Sequence, residues 1–239
     1  MTRLAVVGAR GRMGQAVVRL AGEQGVEVVA SIDAGDPIAV LAKSGAQVAI
    51  DFSTPTATRA LAEVAASAGI AIVSGTTGLG DDAKAALDAA SRKVAVAWEP
   101  NMSIGVHVLG ELVKRAIAML GSDFDIEIVE AHHKLKVDAP SGTALRLAEI
   151  AKEARSGARL VHGREGKPGA RGAAEIGVHA MRGGDVIGDH TVHLLGAGER
   201  IELVHKASSR DLFASGALRV AKWIAGKPAG RYTMSDVLA

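Results

Sequence analysis

The sequence predicts an α/β protein: a doubly wound parallel sheet first, then an α+β region built on a mixed or antiparallel sheet. Three observations carry this reading. From Arg3 to Trp98, short apolar runs rich in Val, Ile and Ala alternate with helical stretches. The runs are apolar throughout rather than at every second position, the pattern of parallel strands covered by helices on both faces. After Asn101 the rhythm changes to one long amphipathic helix and later to strands separated by glycine-rich turns.

The elements follow in order. "RLAVVG" reads as a strand, "RMGQAVVRLAGEQG" as a helix and "VEVVASID" as the second strand; a short helical piece near "IAVLAKSG" leads to the strand "AQVAIDF". "TPTATRALAEVAASAG" is a helix that Thr54 can cap, with Pro55 at the first helical position. "IAIVSG", "DDAKAALDAASRK" and "VAVAW" add strand, helix and strand. The helix predicted over 103–120 places Val106, Leu109, Val113, Ile117 and Leu120 on one side. "FDIEIVEAHH" is a strand and "SGTALRLAEIAKEAR" a helix, after which 156–174, rich in Gly, Arg and Lys, is expected to form a long surface loop. "EIGVHAMR", "DVIGDHTVHLL" and "ERIELVHKAS" are strands, and the closing helix "RDLFASGALRVAKWIAG" has an apolar face with which to pack back on the first domain.

Composition excludes several function classes. Across 239 residues, 28 Lys and Arg face 26 Asp and Glu, and aromatic residues are 3% of the chain, so there is neither a basic footprint nor enough stacking rings for nucleic acid. The absence of cysteine rules out disulfides, thiolate nucleophiles and Cys-based metal sites and fits a reducing compartment. "MTRLAVVGARG" runs straight into a strand and a glycine turn, whereas a signal peptide needs an apolar stretch of about 7 to 15 residues. No run reaches the roughly 18 apolar residues of a membrane helix. A cytoplasmic protein is expected.

"VVGARGRMG" sets Gly8, Gly11 and Gly14 at GxxGxxG spacing between a strand and a helix, where glycines let a backbone and a helix N-terminus approach a pyrophosphate. Alone, the pattern equally fits a plain tight turn. Asp33 at the end of the next strand, nineteen positions after Gly14, adds an acid suited to ribose hydroxyls. That carboxylate would repel a 2′-phosphate and Ala34, Gly35 and Asp36 supply no cation, which favours NADH over NADPH or leaves both usable; Arg10 and Arg12 in the glycine loop could still reach a phosphate. "SGTTG", Ser74 to Gly78, lies at a strand's carboxyl end, as a ligand loop or simply a capped turn.

The stretch "AHHKLKVDAPSGTA" is the densest in chemistry. His132 and His133 close a strand and so point to opposite faces. Ser141, Gly142 and Thr143 follow Pro140 and open a helix whose free N–H groups and dipole favour an anion. A nearby lysine adds fixed positive charge and a histidine can donate a proton near neutral pH. The set suits a small substrate with two carboxylates that takes up a proton; the alternative is a helix cap beside solvated lysines. A catalytic metal is disfavoured, since His190 and His193 are spaced for opposite faces of a strand and no HExxH occurs. A Ser141–His nucleophilic pair lacks the GxSxG turn.

"VVGARGRMG", "IDFSTP", "SGTTG", "PNMSIGV", "EAHHKLKVDAPSGTA", "REG", "RGGDVIGDHTV" and "HKASSRDLFASGAL" stand in the order found in the 4-hydroxy-tetrahydrodipicolinate (dihydrodipicolinate) reductase family, which this chain resembles over nearly its whole length. The resemblance implies a dinucleotide-binding domain, 1–103 with 211–239, and a substrate-binding and tetramerisation domain, 104–210. It implies reduction of an unsaturated cyclic dicarboxylate by NADH or NADPH in diaminopimelate and lysine synthesis, by a homotetramer. His132 would donate the proton and Lys136 bind a carboxylate; His133, Ser141, Gly142 and Thr143 would hold the substrate. Gly8, Arg12, Met13, Asp33, Gly75, Thr77, Asn101 and Met102 would line the cofactor. The chain departs from the family pattern in a shorter stretch between Asp36 and Val48, in Glu99 and Met102, and in Ala34 where a basic residue often follows the acid. The competing readings are another amino-acid-type dehydrogenase and a non-catalytic NAD-sensing module.

Overall fold

The computed structural model describes all residues, Met1–Ala239. In chain order the elements are β1 (Thr2–Val7), α1 (Arg12–Ala21), β2 (Val26–Ile32), β3 (Val48–Asp51), α2 (Pro55–Ala68), β4 (Ala71–Ser74), α3 (Asp81–Ser91) and β5 (Ala95–Trp98). They continue with α4 (Ile104–Leu120), β6 (Asp125–His132), α5 (Gly142–Ala154), β7 (Arg159–His162), β8 (Glu175–Arg182), β9 (Asp189–Leu195) and β10 (Arg200–Lys206). The chain ends with α6 (Asp211–Ile224), β11 (Gly230–Tyr232) and α7 (Met234–Leu238). Two compact units result: Met1–Ile104 with Arg210–Ala239, and Gly105–Ser209.

The first unit is built on a six-stranded parallel sheet of order β11-β5-β4-β3-β1-β2. Successive strand residues serve two different cores. Leu4, Val6, Val48, Ile50 and Val73 face the core filled by α1, α6 and α7, while Ala5, Val7, Ala49, Ile72 and Val96 face the core filled by α2 and α3. Each face must therefore be apolar, which is why the runs do not alternate in polarity. Burying a side chain such as Ile50 or Ile72 completely stabilises the fold by about 2 to 3 kcal/mol.

Two glycines permit close approaches. A Cβ on Gly14 would collide with the Gly8 carbonyl, so α1 can begin against the end of β1 only with glycine there. A Cβ on Gly216 would likewise meet the Met102 carbonyl oxygen, where α6 presses against the segment after β5. The C-terminal stretch is integral to this unit, since β11 pairs with β5 and Glu99 Oε1 accepts the backbone N–H of Met234 at 3.1 Å.

The second unit holds a five-stranded sheet of order β10-β9-β6-β8-β7. It is mixed: β6 is parallel to β8 and β8 to β7, whereas β9 runs antiparallel to β6 and β10. Residues of α4 and α5 cover one face with Ile126, Ile128, Val178, Val192 and Leu194. The other face carries Glu127, Val129, His179, Thr191 and His193 and is partly open.

Several expectations need correction. The stretch 156–174 is not a structureless loop, because Arg159–His162 forms β7, paired with β8 from Glu175 to Val178. The strand expected over 185–195 begins only at Asp189, and the helical piece near "IAVLAKSG" is a 3-10 helix over Ile38–Lys43. The rest of 156–174 is pinned by charge. Arg164 makes a two-pronged contact with Glu127 at 2.9 and 2.8 Å, and Arg171 reaches Glu127 at 2.9 Å and Asp125 at 2.6 Å.

This pinning has a pH signature. Burial by itself would raise the carboxyl of Glu127, but hydrogen bonds from Arg164, His179 and Arg171 outweigh it and bring it from an ordinary 4.5 to about 2. A carboxyl held lower in the folded than in the unfolded chain stabilises fully above the unfolded value, and the stabilisation is lost as pH falls toward the folded one. Between pH 4.5 and about 2, the urea midpoint of the native chain should therefore fall more steeply than that of Glu127→Gln. Parallel slopes would mean that the loop is held by something else.

Candidate active site

In the first unit, the carboxyl ends of the strands open onto two clefts that share Gly11, Phe52 and Ser53. One, of about 530 Å³, is lined by Gly8, Asp33, Ala34, Asp36 and Ile38 among others. Its neighbour, of about 490 Å³, is lined by Arg12, Met13, Gly75, Thr77, Asn101 and Met102, together with Arg210 and Phe213. All the residues expected at the cofactor thus come to one end of one sheet. Met102 is nonetheless 1% exposed and packs mainly into the core.

Gly8 takes φ of 81°, a conformation that favours glycine, and α1 starts at Arg12 with no side chain capping its N-terminus. Asp33 Oδ2 accepts the backbone N–H of Arg10 at 2.5 Å and Oδ1 that of Ala34 at 2.7 Å. These two bonds, the Arg10 one first, hold its carboxyl below the usual range. The Arg10 guanidinium turns to Asp36, 3.3 Å away, so a cation of the glycine loop already has an anionic partner. A pyrophosphate against the uncapped N-terminus of α1 and a ribose beside an ionised Asp33 fit this arrangement of donors and acceptors.

Asp51, which sequence reasoning did not single out, organises the loops behind these clefts. It is fully buried at the end of β3. Its Oδ2 accepts the hydroxyls of Thr58 at 2.6 Å, Ser74 at 2.8 Å and Thr76 at 2.9 Å, and its Oδ1 accepts the Ser53 backbone N–H at 3.1 Å and the Ser53 hydroxyl. A buried carboxylate is tolerable only when so surrounded. It ties the turn after β3 and the turn after β4 to one point, and Phe52 fills the space under Gly75, where a Cβ would strike its ring.

In the second unit, the alternation of β6 that buries Ile126 and Ile128 also puts Glu130 and His132 on the helix-covered side. Glu130 is 0% exposed and His132 9%. His132 Nδ1 lies 2.6 Å from Glu130 Oε2, Arg182 donates to both Glu130 oxygens at 2.8 Å, and the Ser141 backbone N–H donates to Oε1 at 2.9 Å. Burial would raise the Glu130 carboxyl; the bonds from Arg182, His132 and Ser141 outweigh it, and the net shift is downward. Ser141 caps α5 by accepting the Ala144 N–H at 3.1 Å, and the exposed Gly142 and half-buried Thr143 open its first turn. The Ser141 hydroxyl also lies 3.1 Å from Nε2 of His190, whose ring packs edge-on against His132 at 5.3 Å. Burial first, and the nearby His132 second, push His190 down to about 4, so it is neutral at physiological pH.

Lys136 sits in the loop between β6 and α5 and is paired with Asp138 at 2.7 Å. A substrate anion that Lys136 is expected to bind must share or displace that partner. The His133 backbone N–H donates to the Val186 carbonyl at 2.7 Å, which sets this residue on the loop side of the β6 end. Glu130, Arg182 and His190 are thus functional candidates that sequence reasoning missed. The readable signal was Glu130 itself, two positions before His132 on a strand of period two.

Residues 2–102 match the family model described as dihydrodipicolinate reductase, N-terminus, and residues 105–238 match that described as dihydrodipicolinate reductase, C-terminus. The chain is 46% identical to the 4-hydroxy-tetrahydrodipicolinate reductase of Anaeromyxobacter dehalogenans, over 100% of this chain and 98% of the relative. It is 43% identical to that of Myxococcus xanthus, again over 100% and 98%. A solved dipicolinate-bound dihydrodipicolinate reductase from Paenisporosarcina superposes with a TM-score of 0.81 at 25% identity, covering 98% of this chain and 97% of that one. With both halves matched by their models and full-length relatives at 43% and 46% identity, the chain belongs to the dihydrodipicolinate reductase family.

Proposed function

We infer that the chain reduces 4-hydroxy-tetrahydrodipicolinate, or its dehydrated form, to tetrahydrodipicolinate with NAD(P)H, a step of diaminopimelate and lysine synthesis. The observation that carries this is full-length identity near 45% to enzymes of that name. The convergence of His132, Ser141 and the first turn of α5 on one buried network supports it.

NAD(P)H supplies the hydride when bound. Gly8, Arg12 and Met13 would hold its phosphates at the start of α1, Asp33 its adenosine ribose, and Gly75, Thr77, Asn101 and Met102 its nicotinamide half. Arg10, already paired with Asp36, has little charge left for a 2′-phosphate, so NADH is the preferred cofactor or an equal one. Lys136 gives a point charge to one substrate carboxylate, while the donors of Ser141, Gly142 and Thr143 take the other with His133 beside it. His132 supplies the proton. We assign residues 1–103 with 211–239 to the cofactor and 104–210 to the substrate. The open sheet face bearing Val129, Val204 and Met181 is suited to a homotetramer, and the cytoplasm is the expected location.

The direct test is turnover of freshly generated 4-hydroxy-tetrahydrodipicolinate with NADH; no reduced product would reject the assignment. His132→Gln should lower kcat by roughly 10² to 10⁴-fold with little change in KM, the usual worth of a general acid. Wild-type kcat in the folded variant would remove His132 from the chemistry. For the cofactor, kcat/KM with NADPH more than about tenfold above that with NADH, a gap of roughly 1.4 kcal/mol, would reverse the stated preference. Pyridine-2,6-dicarboxylate should compete with substrate in the native chain and lose most of its grip on Lys136→Ala, whose NADH affinity should stay unchanged. Undiminished inhibition would leave Lys136 as a surface lysine paired to Asp138.

A further inference from the structure

We propose that Glu130 is the positioning residue of the proton-donating histidine: its single carboxylate decides which nitrogen of His132 serves the substrate and anchors the anion-binding start of α5. The proposal rests on the reading of His132 as proton donor.

The geometry leaves little freedom. A carboxylate with no proton can only accept, so Nδ1 of His132, 2.6 Å from Glu130 Oε2, must carry a hydrogen. Nε2 is then the nitrogen that exchanges a proton with a ligand. Its surroundings fit that task, since a Cβ on Gly188 would stand 3.0 Å from Nε2, and glycine leaves that side of the ring clear. The His190 ring against its edge restricts rotation.

Glu130 must stay ionised to do this while fully buried, and Arg182 meets that requirement by donating to both its oxygens. The same guanidinium donates to the Asp138 carbonyl at 2.6 Å, tying in the loop that carries Lys136. Through the Ser141 N–H the carboxylate also fixes the cap of α5. One buried ion pair therefore sets the proton donor, the helix N-terminus and the lysine loop in common register.

In the transfer step, the Nε2–H bond of imidazolium His132 breaks and its electron pair stays on the ring. The proton bonds to the carbon beside the one that receives the hydride, through the electron pair that hydride addition displaces from the double bond onto that carbon. His132 is left neutral with hydrogen on Nδ1, still bonded to an unprotonated Glu130, and regains its Nε2 proton from water.

Two measurements test this. In the native chain with ¹⁵N-labelled histidine, at a pH of about 9 where an ordinary imidazole of pKa near 6.5 is neutral, His132 should show the Nδ1–H tautomer. An Nε2–H tautomer would overturn the proposal, whether or not the reaction is correctly assigned. The second measurement is a double-mutant cycle. Glu130→Gln keeps an acceptor for Ser141 but can turn an amide donor toward Nδ1, so kcat should fall by about 10²-fold, within the range of general acid catalysis. Affinities for NADH and pyridine-2,6-dicarboxylate should stay within about threefold, and Glu130→Asp should recover part of the rate. In a His132→Gln background the Glu130→Gln change should add almost nothing. A full further loss there, or wild-type kcat in Glu130→Gln, would show that Glu130 does not act through His132. Turnover by the native chain separates the two readings: if it is absent, the assigned reaction fails, and if present and sensitive only to His132, the Glu130 proposal fails.

Discussion

A carboxylate removed from water must be ringed by donors, and this constraint shapes both ends of the chemistry here. Asp51 meets it with the hydroxyls of Ser53, Thr58, Ser74 and Thr76 and the Ser53 backbone N–H. Glu130 meets it with a guanidinium, an imidazole and a backbone N–H. Each sits at or near the carboxyl end of a strand, where the sheet stops supplying ladder hydrogen bonds and loops must be held by other means. Leaving either carboxylate unpaired would cost several kcal/mol, so the loops that bring its donors have one low-energy arrangement.

The two sheets explain why the two carboxylates are compensated differently. The first sheet is enclosed by helices on both faces, and the end of β3 lies among apolar neighbours where short hydroxyl side chains fit between close-packed turns. In the second, Arg182 stands opposite His132 on the neighbouring strand β8 and reaches Glu130 along the covered face, while the open face lets Arg171 reach Glu127 from the stretch before β8. Glu127 and Glu130 stand on opposite faces of β6, each gripped by arginine, the first pinning a loop and the second orienting a histidine.

Local signals were legible in the sequence, and distant ones were not. Continuous apolar runs announced the strands β1 to β5, because two-sided burial acts on every residue of a strand. The short strands β7 and β11 carried no such mark. "RLVH" is half-exposed and is a strand only because β8 lies beside it, and "GRY" only because β5 does. The same holds at the sites. The glycine loop, Asp33 and the stretch from His132 to Thr143 stand close together in sequence and could be read there. Arg182 lies 52 positions from Glu130, and Ser74 and Thr76 lie 23 and 25 from Asp51, so their pairing belongs to the tertiary structure. The Lys136–Asp138 pair was in plain view at a spacing of two, but whether the lysine turns to its neighbour or to a ligand is decided by loop conformation.

The tight seat of Gly216 against the Met102 carbonyl reaches into how the chain is made. The first unit needs α6, β11 and α7 to finish its core, and these are made only after residues 105–209. Residues 105–209 have their own core and complete sheet well before that. During synthesis the inserted unit is therefore the first to have all its parts, while α1 covers β1 and β2 but β3, β4 and β5 wait with the α6 face uncovered. Ala95, Val73 and Val48 on that face are the surface a chaperone would have to shield until α6 arrives.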